Sequence, residues 1–138
     1  MKTRKMFALV GALMALALAA AACGGKAGSS PTATAKAFYD AVKAKDVAGI
    51  KATMSKNSLD MMEKFAKMQN KSLDDALKEP NNSKMPASFE SQNEKINGDT
   101  ATLEVKDENG KWDSLPFVKE DGQWKIALDK VGGPGGAP

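Results

Sequence analysis

Few side chains in this chain can do chemistry at neutral pH, and Cys23 stands apart from the rest. It is the only cysteine among 138 residues, and there is no histidine. Upstream of it, Lys2, Arg4 and Lys5 precede an uncharged stretch from Met6 that closes on Ala20, Ala21 and Ala22. A basic start, an apolar run and small residues before a cut make residues 1–22 a secretory signal. The missing histidines close off several mechanisms. Neither a Ser-His nor a Cys-His nucleophile can be assembled, nor a zinc site of His and Cys. General acid–base work would need a carboxylate raised, or a lysine lowered, by burial. Such a group would interrupt an apolar stripe. Along Ala37, Phe38, Ala41, Val42 and Ile50, and along Ala101, Leu103, Val105, Trp124, Ile126 and Leu128, none does. Tyr39 and Asp40 come nearest, and both fall off the stripe. No catalytic residue is therefore expected.

Three further sets invite a functional reading. Met54, Met61, Met62 and Met68 are thioethers that can hold Cu(I) or line a pliable apolar pocket. The preferred reading is plainer: 54, 61 and 68, spaced by seven, form one buried helix stripe with Phe65. Asp74-Asp75 and Asp107-Glu108 lack the spacing and the glycine of a calcium loop, and helix starts and turns account for them. Trp124 is expected as a sheet-core anchor, and Trp112 follows a turn. No metal and no cofactor is called for.

Charge narrows the partners. The formal net charge of +3 belongs to the leader: without Lys2, Arg4 and Lys5, Lys plus Arg falls from 20 to 17, equal to Asp plus Glu. Arg4 is the only arginine, so the remaining chain has no guanidinium fork, and its lysines are interleaved with acids and leave no basic run. A nucleic-acid partner is excluded on that ground.

The elements follow from periodicity. Residues 23–31 read as a Gly/Ser/Thr tether and 131–138 as a disordered Gly/Pro tail. Between them, residues 32–130 make one domain of about 100 residues. A first helix opens near Ser30-Pro31 or Thr32-Ala33 and ends at Lys43–Asp46. Asp46 caps a second helix, Asn57 with Asp60 a third, and Ser72 with Asp75 a fourth. Pro80 to Ser83 stops helix formation. Strands follow at 87–96, 100–106, 112–119 and 123–128, separated by Asn97-Gly98-Asp99, Glu108-Asn109-Gly110 and Glu120-Asp121-Gly122. Pro116 inside the third strand implies an edge position or a bulge. The order implies an α+β fold, N-terminal helices packed against a curved antiparallel β-meander.

Two resemblances add to this. Ala20-Ala21-Ala22-Cys23-Gly24 resembles the lipobox of bacterial lipoproteins, although the family most often has Leu where Ala20 stands. The resemblance implies that the Cys23 thiol receives a diacylglycerol. Two other readings stay open: cleavage by ordinary signal peptidase, or retention of Met6 to Gly25 as a membrane span. All three put the domain outside the cytoplasm. Gly24 is not the Asp that retains such proteins in an inner membrane, which implies the outer membrane where the host has two. With one membrane, its outer face is implied.

The second resemblance rests on Ala37-Phe38-Tyr39-Asp40-Ala41-Val42, Lys45-Asp46-Val47-Ala48-Gly49-Ile50, Asn97 to Val105 and Phe117 to Ile126. Their order is similar to the nuclear-transport-factor-2-like superfamily, in particular its small bacterial lipoproteins of unknown function compared with lumazine-binding proteins. It implies a cone, a curved sheet around helices with a cavity lined by Phe38, Val42, Met54, Met61, Phe65, Leu103, Val105, Phe117, Trp124 and Ile126. Enzymes of the superfamily such as ketosteroid isomerase place an oxyanion-binding tyrosine on the first helix. The matching position here is Phe38, with Tyr39 about 100° around the helix and pointing elsewhere. The family's acidic base motif has no counterpart in Lys56-Asn57-Ser58-Leu59. A membrane-anchored, non-catalytic domain that binds an envelope protein or a small apolar ligand is expected. The alternative is an enzyme acting on a small hydrophobic substrate. Cys23→Ser is expected to abolish incorporation of a radiolabelled fatty acid, and equal label in wild type and variant would contradict the anchor.

Overall fold

The computed structural model of the protein describes residues 26–79 and 85–131. The leader, Cys23 and the Met6–Gly25 stretch lie outside the described residues, as does the tail from residue 132. Four helices, α1 (Pro31–Ala44), α2 (Val47–Thr53), α3 (Lys56–Met68) and α4 (Leu73–Lys78), precede β1 (Ser91–Asn97), β2 (Thr100–Lys106), β3 (Trp112–Glu120) and β4 (Gln123–Ile126). A 3-10 turn at Leu128–Lys130 follows. The strands form one open sheet in the order β1-β2-β3-β4, each pair antiparallel. The fold class is α+β.

Local chemistry starts the helices where short polar side chains meet free backbone amides. The Ser30 hydroxyl accepts from Ala33 N at 3.0 Å, with Pro31 at the first helical position. Asp46 accepts from Gly49 N at 3.0 Å and Ser72 from Asp75 N at 3.1 Å. The third cap differs from expectation. It is Ser55, whose hydroxyl accepts from Ser58 N at 3.2 Å, and not Asn57. The reason is tertiary: Ser55 is buried, and its own amide donates to Ile126 O at 2.9 Å, which ties the helix start to β4.

The tether also needs correcting. Of residues 23–31, Lys26 onward belongs to the folded unit. Trp124 N donates to Gly28 O at 2.9 Å, and Gly28 N donates to the Thr34 hydroxyl at 3.1 Å. Gly28 sits at φ +87°, and a Cβ there would stand 3.0 Å from Gln123. The Gly/Ser composition reflects this close turn.

Register then decides the core. The expected alternation of β2 and β4 holds: Ala101, Leu103, Trp124 and Ile126 are buried on one sheet face with Phe117 of β3. Ala35 of α1 closes this cluster, and Phe38 packs against it. Val42 joins a second cluster instead, with Ala41, Ile50 and Met54 between α1 and α2. The first strand starts later than expected, at Ser91, and shifts register between Gln92 and Lys95. Pro116 lies in an inner strand, yet its neighbourhood behaves as an edge. Its carbonyl accepts from Ala127 N at 2.9 Å, so its own nitrogen faces the point where β4 has ended at Ile126.

Trp124 is 5% exposed. Trp124→Ala is expected to cost about 3–5 kcal/mol, the range for a buried aromatic. Urea unfolding followed by circular dichroism measures this, and an unchanged midpoint would mean that the core does not depend on the ring.

Candidate functional site

The two ends of the sheet are built differently. The turns after β1 and β3 (Asn97–Asp99 and Glu120–Gly122) lie at one end, together with Gly28 through its bond from Trp124. The turn after β2, Asp107–Gly110, lies at the other. Between Asp113 and Glu120, seven steps of β3 separate the ends by roughly 23 Å.

At the Asp107 end the helix and the sheet leave a cavity of about 640 Å3. Ala35, Phe38 and Tyr39 of α1 face Val105 and Leu115 across it, and Met85, Pro86 and Phe89 form a side wall. The mouth carries Lys106, Asp107, Glu108, Asn109 and Asp113. Asp113 shares the inner face of the sheet because it pairs in register with Val105.

Tyr39 holds the side wall in place. Its hydroxyl donates to Pro86 O at 2.7 Å and accepts from Lys43 Nζ at 3.2 Å. Its ring lies 5.9 Å from that of Phe89. This corrects the expectation that Tyr39 points elsewhere: it is buried and lines the cavity. The physical reason is that residues 85–89 fold back over the flank of α1. They cover a second helix face that the sheet alone would leave to solvent. No carboxylate is a partner of this hydroxyl among the described residues. Asp40 is exposed and paired with Lys36 at 2.7 Å.

The mouth is held by backbone chemistry. Asp107 Oδ1 accepts from Lys111 N and from Asn109 N, each at 2.8 Å. The bond from the Lys111 amide, with that from Asn109, holds the Asp107 carboxyl below its ordinary value of 3.8 despite partial desolvation. Asp113 Oδ1 lies 2.9 Å from Lys111 Nζ, and this hydrogen-bonded contact raises the lysine above its ordinary value.

The expected pocket residues are divided among several places. Phe38 and Val105 line the cavity. Leu103, Phe117, Trp124 and Ile126 form the buried core beneath the helix. Met54 is buried in the second cluster, where its backbone bridges Ile126, and Val42 packs beside it. Met61 and Phe65 are on α3 and are 44% and 59% exposed, with Met68 at 76%. They line a separate shallow groove with Asn57, Asp60 and Lys64. The expected buried stripe is thus corrected. Ser55 caps α3 and breaks the helix between Met54 and Met61, and α3 buries Ser58 and Ala66 instead. Sequence reasoning missed Tyr39, Met85 and Pro86 as cavity residues.

Asp74 and Asp75 sit in the first turn of α4, where Asp74 pairs with Lys51. Among the described residues no three Asp, Glu, His or Cys side chains gather closely enough to hold a metal ion. No helix among them is long and apolar enough to cross a membrane. What the cavity offers chemically is enclosure of an apolar body under an acidic mouth.

The class defined by this arrangement is a small α+β domain whose helices pack on a four-stranded antiparallel meander and leave a cavity at one sheet end. The chain belongs to the family described as Domain of unknown function (DUF4878), which matches residues 21–127. No curated protein and no solved structure matches it.

Tyr39→Phe removes the bond to Pro86 O and keeps the ring. It is expected to cost about 1 kcal/mol of stability and to raise amide exchange at residues 85–89. Exchange unchanged in that segment would show that the hydroxyl does not hold the wall.

Proposed function

We propose that this protein is an exported lipoprotein, anchored through Cys23, whose domain binds a small apolar ligand without catalysing a reaction. The observation that carries the reading is the cavity between α1 and the Asp107 end of the sheet, lined by Phe38, Tyr39, Phe89, Val105 and Leu115. Its 640 Å3 falls within the range of about 300–1,000 Å3 typical of small-molecule pockets. We read the architecture as a nuclear-transport-factor-2-like cone with this cavity as its open end. The helices-first order and the irregular register of β1 support that reading.

The anchor fits the same picture. Cys23 precedes Lys26 by three residues, at most roughly 10 Å of chain. Gly28 docks at the sheet end opposite the cavity. An anchor there holds the domain against the bilayer with the cavity mouth turned away from it. A second reading, an envelope protein as partner, is favoured by one observation, the exposed Met61, Phe65 and Met68 on α3.

Every element described lies within residues 26–131, so the chain from residue 23 onward carrying Cys23→Ser serves as a soluble form. The neutral fluorophore N-phenyl-1-naphthylamine is expected to bind it at one saturable site per chain. Leu115→Trp fills the cavity and is expected to weaken that binding about tenfold, which is 1.4 kcal/mol, with an unchanged far-ultraviolet spectrum. Absence of saturable binding to the parent form would overturn the reading.

A further inference from the structure

We propose that the cavity is selective for a cationic amphiphile: an apolar body under α1 with an amine or quaternary ammonium group at the mouth. This rests on the reading of the cavity as a ligand site and assigns the ligand its charge.

The floor and the mouth have opposite characters. The floor and side wall are aliphatic and aromatic, from Ala35, Phe38, Phe89, Val105 and Leu115. The mouth carries three carboxylates, Asp107, Glu108 and Asp113. One lysine, Lys106, also lines it, but its ammonium is engaged elsewhere. Lys106 pairs in register with Trp112 on the sheet face opposite Val105. Its Nζ lies 2.9 Å from Glu90 and 5.5 Å from the centre of the Trp112 ring. Lys111 offsets Asp113 at 2.9 Å. Among the described residues neither Asp107 nor Glu108 has a lysine amine within ion-pair distance. Asp107 Oδ1 takes two backbone amides, from Asn109 and Lys111, and the Lys111 charge, shared with Asp113, also acts on it through space.

Lys43 is the other cation near this end. It does not line the cavity, and its ammonium is engaged by the Tyr39 hydroxyl and Ala87 O, each at 3.2 Å. It stands 5.1 Å from the centre of the Tyr39 ring. The balance at the mouth is therefore negative. An anionic head would meet uncompensated carboxylates beside an apolar wall, where charge is less screened than in bulk water. A cationic head would neutralise them, while its apolar body takes the aromatic floor.

The test displaces N-phenyl-1-naphthylamine from the soluble form with three compounds of equal chain length below their micellar concentrations: decyltrimethylammonium, decanol and decanoate. The expected order of affinity is cation, then neutral, then anion, with the cation about tenfold or more ahead of decanoate. Asp107→Asn, Glu108→Gln and Asp113→Asn combined are expected to bring the three within about twofold of each other, each read against the variant's own fluorophore affinity, with an unchanged far-ultraviolet spectrum. Asn at 107 retains an oxygen for the turn amides. Equal affinities in the parent, a preference for decanoate, or selectivity that survives the triple substitution would each overturn the charge assignment while leaving the cavity reading intact. Failure of the neutral fluorophore to bind would overturn the cavity reading instead.

Discussion

The close approach of α1 to the sheet at Ala35 is the constraint on which the rest of the structure depends. Ala35 is 3% exposed and sits against Leu103, Phe117, Trp124 and Ile126, with Ala101 alongside. Small side chains at 35 and 101 let the helix backbone settle onto the large residues of the sheet, where close packing supplies both the dispersion and the hydrophobic stabilisation. A bulkier residue at 35 would lift α1 and expose the Trp124 ring. The same helix is fixed at its start by Ser30 and by Thr34, whose buried hydroxyl donates to Ser30 O at 2.8 Å and lies 3.2 Å from Trp124 O. Burial of that hydroxyl is tolerated because it is fully partnered.

A second polar junction sets the position of α3. Ser58 is completely buried, and its hydroxyl accepts from Leu128 N at 2.8 Å and lies 3.2 Å from both Ile126 O and Asp129 Oδ1. With Ser55 it ties the start of α3 to the place where β4 ends. No buried side-chain nitrogen or oxygen among the described residues lacks a partner. Hydrogen bonds whose loss would strand a buried group are the ones that specify a single arrangement. Here they hold α3 by small polar residues, and this leaves Met61, Phe65 and Met68 on its outer side.

The cavity is a consequence of the first of these. With α1 held close at Ala35 and the side wall held to Tyr39, the helix and the sheet part company toward the Asp107 turn. Phe38, Val105 and Leu115 are left half-buried there and not sealed into the core. The sheet twists along its length, and a helix packed close at one place on its face leaves such a space where no loop fills it.

Much of this architecture was legible in the residues themselves. The caps at Asp46 and Ser72, one of the two starts offered for α1, the glycine turns, the alternation in β2 and β4 and the helices-first order are local signals, and each is decided within a few residues of backbone. The candidate site was legible only in part. Phe38 and Val105 fall on stripes that point to the core, but Tyr39, Met85 and Pro86 line the cavity because a loop folds back on α1. Met54, Met61 and Phe65 share a spacing that says helix, yet Ser55 interrupts it by bonding to Ile126, 71 positions away in the chain. Sequence by itself determined which segments are helix or strand and which face of each is apolar, because those depend on neighbours along the backbone. Tertiary structure alone decided which apolar faces meet, which stay open and where the acids gather, because those depend on contacts between residues far apart in the chain.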